Sequence, residues 1–391
     1  MAASGLIARI CRGLLLIAAL GLLAACQESG IPKDQRPVPA KLAAKMQQLD
    51  MDPKAPIYIR SFKESSEFEV WKQKRDGQYA LLSTYSICKW SGKLGPKIKE
   101  GDRQAPEGFY TITPGQMNPK SSYYLSFNIG FPNAYDRALG RTGTNLMVHG
   151  ACSSAGCYSM TDEAAGEIYA LARDSFLGGQ RSFEVHLYPF RMTPENMAKH
   201  RNDPNFEFWV MLKQGSDHFE VMRKPPQVAV CGKRYVFDVS SGGIPLDASA
   251  PCPPLSMPEW LDAAVKQKQM KDDAAFQIAS VKYQADEQKA AADAQKKATA
   301  DQVAAAKAAG APVAAAPADG SVAAAAPGAA AVATVDEASA AALSVPVEGV
   351  PAPGVPLPTP SPLRATVAPA EPPPAKPGFW NNMKKKLSLQ G

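Results

Sequence analysis

The chain has 391 residues, a formal net charge of +6, 45% hydrophobic residues, 35 prolines and seven cysteines. Aromatic and aliphatic residues crowd into positions 55–260, enough for one sizeable core rather than the several that the length alone would allow. The charge is modest, the folded part has no basic-aromatic interleaving, and no glycine-rich loop is shaped to cradle a phosphate, so nucleic-acid and nucleotide chemistry are excluded.

Residues 1–25 read as an export signal, with Arg9 and Arg12 as its charged region and Gly13 to Leu23 as an apolar run too short to span a bilayer. The run ends in Leu23-Ala24-Ala25-Cys26, which resembles a bacterial lipobox. Cleavage before Cys26 and diacylation of its thiol would leave a lipid-anchored protein on the periplasmic side of the envelope. Gln27, rather than aspartate, after that cysteine points to the outer membrane. The alternative is an ordinary secretory peptide with a chance cysteine. Cys26→Ser is therefore expected to abolish membrane fractionation; unchanged fractionation and electrophoretic mobility would refute the anchor.

Residues 26–54 are polar and hold Pro32, Pro37, Pro39 and Pro53, so they read as a tether with a short helix over Ala40 to Gln48. Strands follow. Ile57 and Ile59 alternate with Tyr58 and Arg60, Phe68 and Val70 with Glu67, Glu69 and Trp71, and Asp76-Gly77 is a hairpin signal before a return strand, Gln78 to Ile87. This predicts an antiparallel meander. Cys88 to Gly108 is a loop in which Lys89, Lys93, Lys97 and Lys99 serve mainly for solvation, with contact to a peptide carboxylate as the alternative. A strand is predicted over Ser122 to Ile129, then a long loop, Gly130 to Thr144. Asp136 in that loop is expected to pair with Arg137 or Arg141 rather than to orient a histidine.

The next stretch carries the chemistry. Leu146 to Val148 is a short apolar strand that delivers His149; a small-residue turn follows, and Cys157 then precedes a helical pattern from Thr161 to Ala172. A thiolate is the nucleophile, so the thiol pKa of about 8.5 must be lowered, and an imidazole and a helix N-terminus both do this. Gly156 lets a substrate approach the backbone, and the amides around Gly156 and Cys157 are placed to hold an oxyanion. Gly150, Ser154 and Tyr158 are expected to complete that surface. Cys152 is a rival thiol without a preceding glycine. Cys88, Cys152, Cys157 and His149 have the ligand types for zinc, but the C-x4-C spacing and an oxidising compartment argue against it. No metal and no cofactor is expected.

Downstream, Ser182 to Tyr188 alternates Phe183, Val185 and Leu187 against polar neighbours, which puts His186 on the solvent side. Thr193-Pro194 starts a helix, and Phe208, Trp209 and Leu212 mark a core helix; His200 and His218 have polar surroundings. Residues 227–258 form a small appendage with a strand over Arg234 to Val239, in which Cys231 and Cys252 are expected to pair. Whether Cys88 and Cys152 pair is open. Residues 259–309 read as a solvated Ala/Lys-rich spacer helix, 310–377 as an Ala/Pro-rich disordered linker, and 378–391 as a basic-aromatic tail that either docks on a membrane or partner or is inert.

His149-Gly150 followed by Ser154-Ala155-Gly156-Cys157, together with Tyr85-Ser86-Ile87-Cys88-Lys89, Gly108-Phe109-Tyr110, the run from Asn128 to Arg137, and Tyr188-Pro189-Phe190-Arg191-Met192-Thr193, resembles the YkuD-type L,D-transpeptidases of peptidoglycan remodelling. The resemblance runs from about Pro56 to Pro226 and is closer to the YafK (DpaA) branch. Ser159 stands where most members have arginine, Ala155 where many have a second histidine, and the spacing from His149 to Cys157 is short. The resemblance implies a catalytic domain over 55–226, mostly β with a few helices (an L,D-transpeptidase-like β-sandwich or barrel), here followed by the long helix and the disordered tail. It implies a histidine oriented by a backbone carbonyl, a groove bordered by the loop 88–108, and peptidoglycan stem peptides as substrate. The chemistry would be acyl transfer at the L-centre carbonyl of meso-diaminopimelate through a Cys157 thioester. An amine acceptor gives a 3-3 crosslink or attaches an outer-membrane lipoprotein. Water gives a hydrolase that releases such a lipoprotein by cutting its lysine-diaminopimelate bond, the outcome associated with the YafK branch. A non-catalytic wall-binding lipoprotein is the reading from another class.

Overall fold

The computed structural model describes residues 30–308; the predicted export signal with Cys26, the predicted linker 310–377 and the predicted tail 378–391 lie outside them. Among the described residues, those up to Ala290 form one compact unit and 291–308 belong to a second. In chain order the elements are α1 (Ala40–Gln48), β1 (Ile57–Phe62), β2 (Glu67–Gln73), β3 (Tyr79–Ser86), β4 (Lys89–Trp90), β5 (Gly108–Ile112), β6 (Met117–Asn118), β7 (Ser126–Asn128), α2 (Ala134–Ala138), β8 (Met147–His149), β9 (Tyr158–Ser159), α3 (Asp162–Leu177), β10 (Phe183–Tyr188), α4 (Pro194–Lys199), α5 (Phe206–Met222), β11 (Val228–Cys231), β12 (Arg234–Phe237) and α6 (Glu259–Ala308).

The strands form two five-stranded sheets, ordered β3-β2-β1-β10-β5 and β4-β9-β8-β7-β6, and the separate hairpin β11-β12. Neither sheet closes into a barrel. The predicted meander β1-β2-β3 is antiparallel, but β1 pairs parallel with β10, and β8 parallel with β9, so both large sheets are mixed.

Strand alternation divides the first sheet between two cores. Ile57, Ile59, Tyr110, Ile112, Phe183, Val185 and Leu187 face a core shared with Phe127, Val148 and Tyr158 of the second sheet and with Leu171 of α3. The other face carries Phe62, Phe109 and Tyr188, which pack with Trp209, Val210 and Leu212 of α5. This second core corrects the reading of His186 as a surface residue. Its side of β10 was assigned properly, but α5 covers that side, and His186 is fully buried, sharing a hydrogen bond of 2.7 Å with the Tyr58 hydroxyl. His218 is likewise buried, 2.7 Å from the Asp238 carboxylate. Asp136 is structural: it is fully buried, pairs with Arg141 at 2.9 Å and accepts from the Tyr110 hydroxyl at 3.0 Å.

The segment before the first sheet and the start of α6 are more firmly packed than their composition suggests. Leu42, Met46 and Met51 belong to the first core, so residues 40–51 are part of the domain and not a free tether. On α6, Leu261, Val265 and Phe276 are buried, and Lys213 of α5 is ion-paired with Asp272. The spacer is therefore docked over its first turns and becomes exposed from about residue 284. Its apolar stripe is weak; ion pairs with α5, such as Lys268 to Glu220 at 3.0 Å, supply the rest of the attachment.

Candidate active site

The parallel pair β8-β9 builds the site. Val148 lies opposite Tyr158 and His149 opposite Ser159. Cys157 immediately precedes β9, and its Sγ accepts from the Met147 amide at 3.4 Å. Met147 and His149 share one face of β8, and the parallel register sets Cys157 beside Met147, two residues along the strand from the position of His149. His149 is buried, and its Nδ1 lies 2.6 Å from the Gly150 carbonyl. A carbonyl only accepts, so Nδ1 carries the proton and Nε2 is left with a lone pair, the tautomer a base requires. The thiol proton is directed at the Asn145 carbonyl, with sulfur and oxygen 3.8 Å apart.

The turn between the two residues is held from several sides. Cys152 is bonded to Cys88, and its amide donates to the Met160 carbonyl at 3.1 Å. Ala151 and Cys152 both take left-handed backbone conformations, with φ of 65° and 43°. Such residues persist where their surroundings over-determine them. The Ala151 amide also donates to Asp162 at 2.8 Å. The disulfide takes Cys88 and Cys152 out of any zinc set, and Cys157 is the free cysteine among the described residues. Cys231 and Cys252 are bonded to each other, as expected from the sequence.

The remaining expected site residues fall into different places. Gly156 has φ of 124°, which suits glycine alone, and a Cβ there would face the Gln104 carbonyl at 3.9 Å. The amides of Gly156 and Cys157 donate to the Ser154 hydroxyl at 3.3 and 3.0 Å, and that hydroxyl donates to the Cys157 carbonyl at 2.6 Å. Ser154 therefore closes the turn, and an oxyanion using these amides must exchange with its hydroxyl. Tyr158 cannot line the substrate surface: it is fully buried and donates to the Pro106 carbonyl at 2.7 Å. Gly150 is a packing residue, because its amide donates to the Tyr123 carbonyl at 3.0 Å and a Cβ there would lie 2.9 Å from Tyr124 Cβ. Ser159 is fully buried on β9, where it is paired with Lys89 of β4 and its hydroxyl donates to the Lys89 carbonyl at 2.9 Å, so an arginine there would need space that the interior does not leave.

The electrostatics also differ from the expectation of a thiol under a helix N-terminus. α3 starts five residues beyond Cys157, and its end is capped by Thr161, which accepts from the Ala164 amide. Burial pushes the Cys157 thiol up, against the opposing pull of the Met147 amide and the Lys97 charge. Burial holds His149 below its ordinary range, against the Gly150 carbonyl. The pair thus rests as thiol and neutral imidazole, and the base is free at neutral pH. A general base must be unprotonated, so with His149 in that role the acid limb of kcat/KM is expected below pH ~6.5, the ordinary histidine value. The apparent pKa belongs to the pair, and a limb above that value in a kcat/KM profile would refute the assignment.

Residues that sequence reasoning missed include Tyr123, whose ring centroid is 4.8 Å from that of His149, and Ser91, whose hydroxyl donates to Ser154 at 3.0 Å. The adjacent aromatics Tyr123-Tyr124 were a signal, but they were absorbed into a predicted strand that begins only at Ser126.

Residues 74–178 match the family model of the L,D-transpeptidase (YkuD) catalytic domain. The chain is 49% identical over 182 residues to YafK of Escherichia coli (strain K12), a protein named provisionally as an L,D-transpeptidase; the match covers 46% of this chain and 74% of that protein. The helical cell shape determining protein Pgp2 from Campylobacter jejuni is 16% identical, with a TM-score of 0.28 over 48% of this chain and 79% of that one. A variant of Pgp2 is 17% identical at the same TM-score, and there the match spans 62% of that chain, less than two thirds of its length.

Proposed function

Because the chain belongs to the L,D-transpeptidase family, we propose that it is a cysteine acyltransferase of peptidoglycan acting through a Cys157 thioester. The observation that carries this reading is the Nδ1–H to Gly150 bond, which leaves His149 with its basic nitrogen free on the strand paired with the one that the free Cys157 precedes.

In the proposed reaction His149 Nε2 takes the thiol proton, and sulfur attacks the carbonyl at the L-centre of meso-diaminopimelate in a stem peptide. The carbonyl electron pair moves to oxygen, where the Gly156 and Cys157 amides replace their bond to Ser154 with one to the oxyanion. Each such donor is worth about 2.7–4 kcal/mol in other acyl-transfer sites. The imidazolium then gives its proton to the departing amine, leaving the thioester. An incoming amine or water releases the acyl group by the reverse proton path. An amine yields a 3-3 crosslink or an attached lipoprotein; water yields an amidase that frees a lysine-linked lipoprotein.

Two disulfides support an oxidising compartment, in keeping with export and attachment through Cys26 to the outer membrane. The test is incubation of wall sacculi with the wild-type protein and with Cys157→Ala, followed by mass analysis. New 3-3 dimers mean a transpeptidase. Released lipoprotein with tripeptide stems means the hydrolase. Identical products from the two proteins would reject acyl transfer in favour of a wall-binding module.

A further inference from the structure

Tyr123 is half exposed, yet it is held firmly. Its ring lies 4.8 Å from that of His149, centroid to centroid, with the planes tilted by 42°. Its amide donates to the Ser121 hydroxyl at 3.1 Å, and its carbonyl accepts from the Gly150 amide at 3.0 Å. The turn that carries it is fastened by a basic strap preceding α1. Lys33 donates to the Ser121 carbonyl at 3.3 Å and to the Tyr124 carbonyl, and it sits 5.4 Å from the Tyr124 ring centre. Arg36 donates to the Tyr124 hydroxyl at 3.3 Å. The strap is itself tied to α3, where Arg173 donates to the carbonyls of Asp34 and Arg36 at 2.8 and 2.9 Å.

The chemistry makes this placement consequential. When Cys157 surrenders its proton, His149 becomes a cation in a buried site, and among the described residues no carboxylate is bonded to the ring. An aromatic ring within about 6 Å of a cation stabilises it through the negative face of its π system.

We propose that Tyr123 is a positioning residue for His149, backing the imidazole and stabilising its cation, and that the strap of residues 30–39 keeps the ring in place. This rests on His149 acting as the base for Cys157. Tyr123→Phe, Tyr123→Leu and the double change Lys33→Ala with Arg36→Ala test it in the full chain. Three readouts are needed: kcat and KM on wall peptides, the rate of iodoacetamide alkylation at Cys157 followed by peptide mass, and thermal melting. Tyr123→Leu is expected to lower kcat and the alkylation rate roughly two- to fivefold, leaving KM unchanged, whereas Tyr123→Phe keeps both. The strap variant should move in the same direction with its melting temperature preserved. Wild-type alkylation and kcat in Tyr123→Leu, or an equal loss in Tyr123→Phe, would overturn the proposal. Alkylation needs no wall substrate. A wild-type protein inert on sacculi whose alkylation still falls in Tyr123→Leu would therefore reject the proposed function and leave the role of Tyr123 standing.

Discussion

Cys157→Ala is expected to remove measurable turnover, a fall of roughly 10⁴- to 10⁶-fold in kcat, because the covalent route is lost and only binding and the oxyanion amides remain. His149→Ala should cost nearly as much. The double variant should be little worse than either single one, since a nucleophile and its base act as one unit. Folding should be untouched by the cysteine change: Cys157 is only partly buried and lies outside both disulfides. Product formation by mass spectrometry checks the first expectation and thermal melting the second. Retention of more than about one per cent of turnover in Cys157→Ala would end the claim that this sulfur is the nucleophile.

The second large effect concerns Lys63 and Glu107, whose side chains are both completely buried and ion-paired at 2.9 Å. Lys63 also donates to the carbonyls of Gly95 at 3.0 Å and Ala105 at 2.6 Å. Glu107 accepts from the Gly95 amide and the Trp209 indole, both at 2.8 Å. Burial lowers the Lys63 pKa, with Glu107 opposing it. Glu107→Ala would leave an ammonium uncompensated in the interior, which costs about 3–5 kcal/mol. For a domain of this size that lowers the melting temperature by about 10 °C. Replacing both residues with apolar ones, Lys63→Met with Glu107→Leu, should recover most of the loss, because paired apolar replacement is often neutral. A melting shift under about 2 °C in Glu107→Ala would show that the pair does not hold the structure. The consequence for the site is specific. The pair anchors the loop that supplies Ser91 to Ser154 and sets the Gln104 carbonyl against Gly156, so kcat should fall in Glu107→Ala even well below its melting temperature.

Local signals carried much of the site. A three-residue apolar strand before a histidine, a small-residue turn and a glycine-cysteine pair are properties of consecutive residues, and they single out His149 and Cys157 from the chain alone. The same holds for the helix over Ala40–Gln48 and for the hairpin turn at Gly77, whose φ is 82°. Period-two alternation also assigned β10 to the right strand with the right faces.

What lay beyond the sequence was everything that depends on which distant segment arrives opposite a residue. Alternation placed His186 on the non-aliphatic side of β10, but only the packing of α5 made that side an interior. Composition marked Tyr158 as a neighbour of the nucleophile; strand pairing turned its ring into the core. Cys88 finds Cys152 across 64 residues, and Lys63 finds Glu107 across 44, separations over which no local pattern reports. The sequence by itself marked the candidate thiol and base and located the strands that carry them, because backbone propensity and periodicity act within a few residues. The tertiary structure alone decided which ring stands behind His149 and which buried charges fix the loop beside it, because those rest on contacts made only when remote segments share one interior.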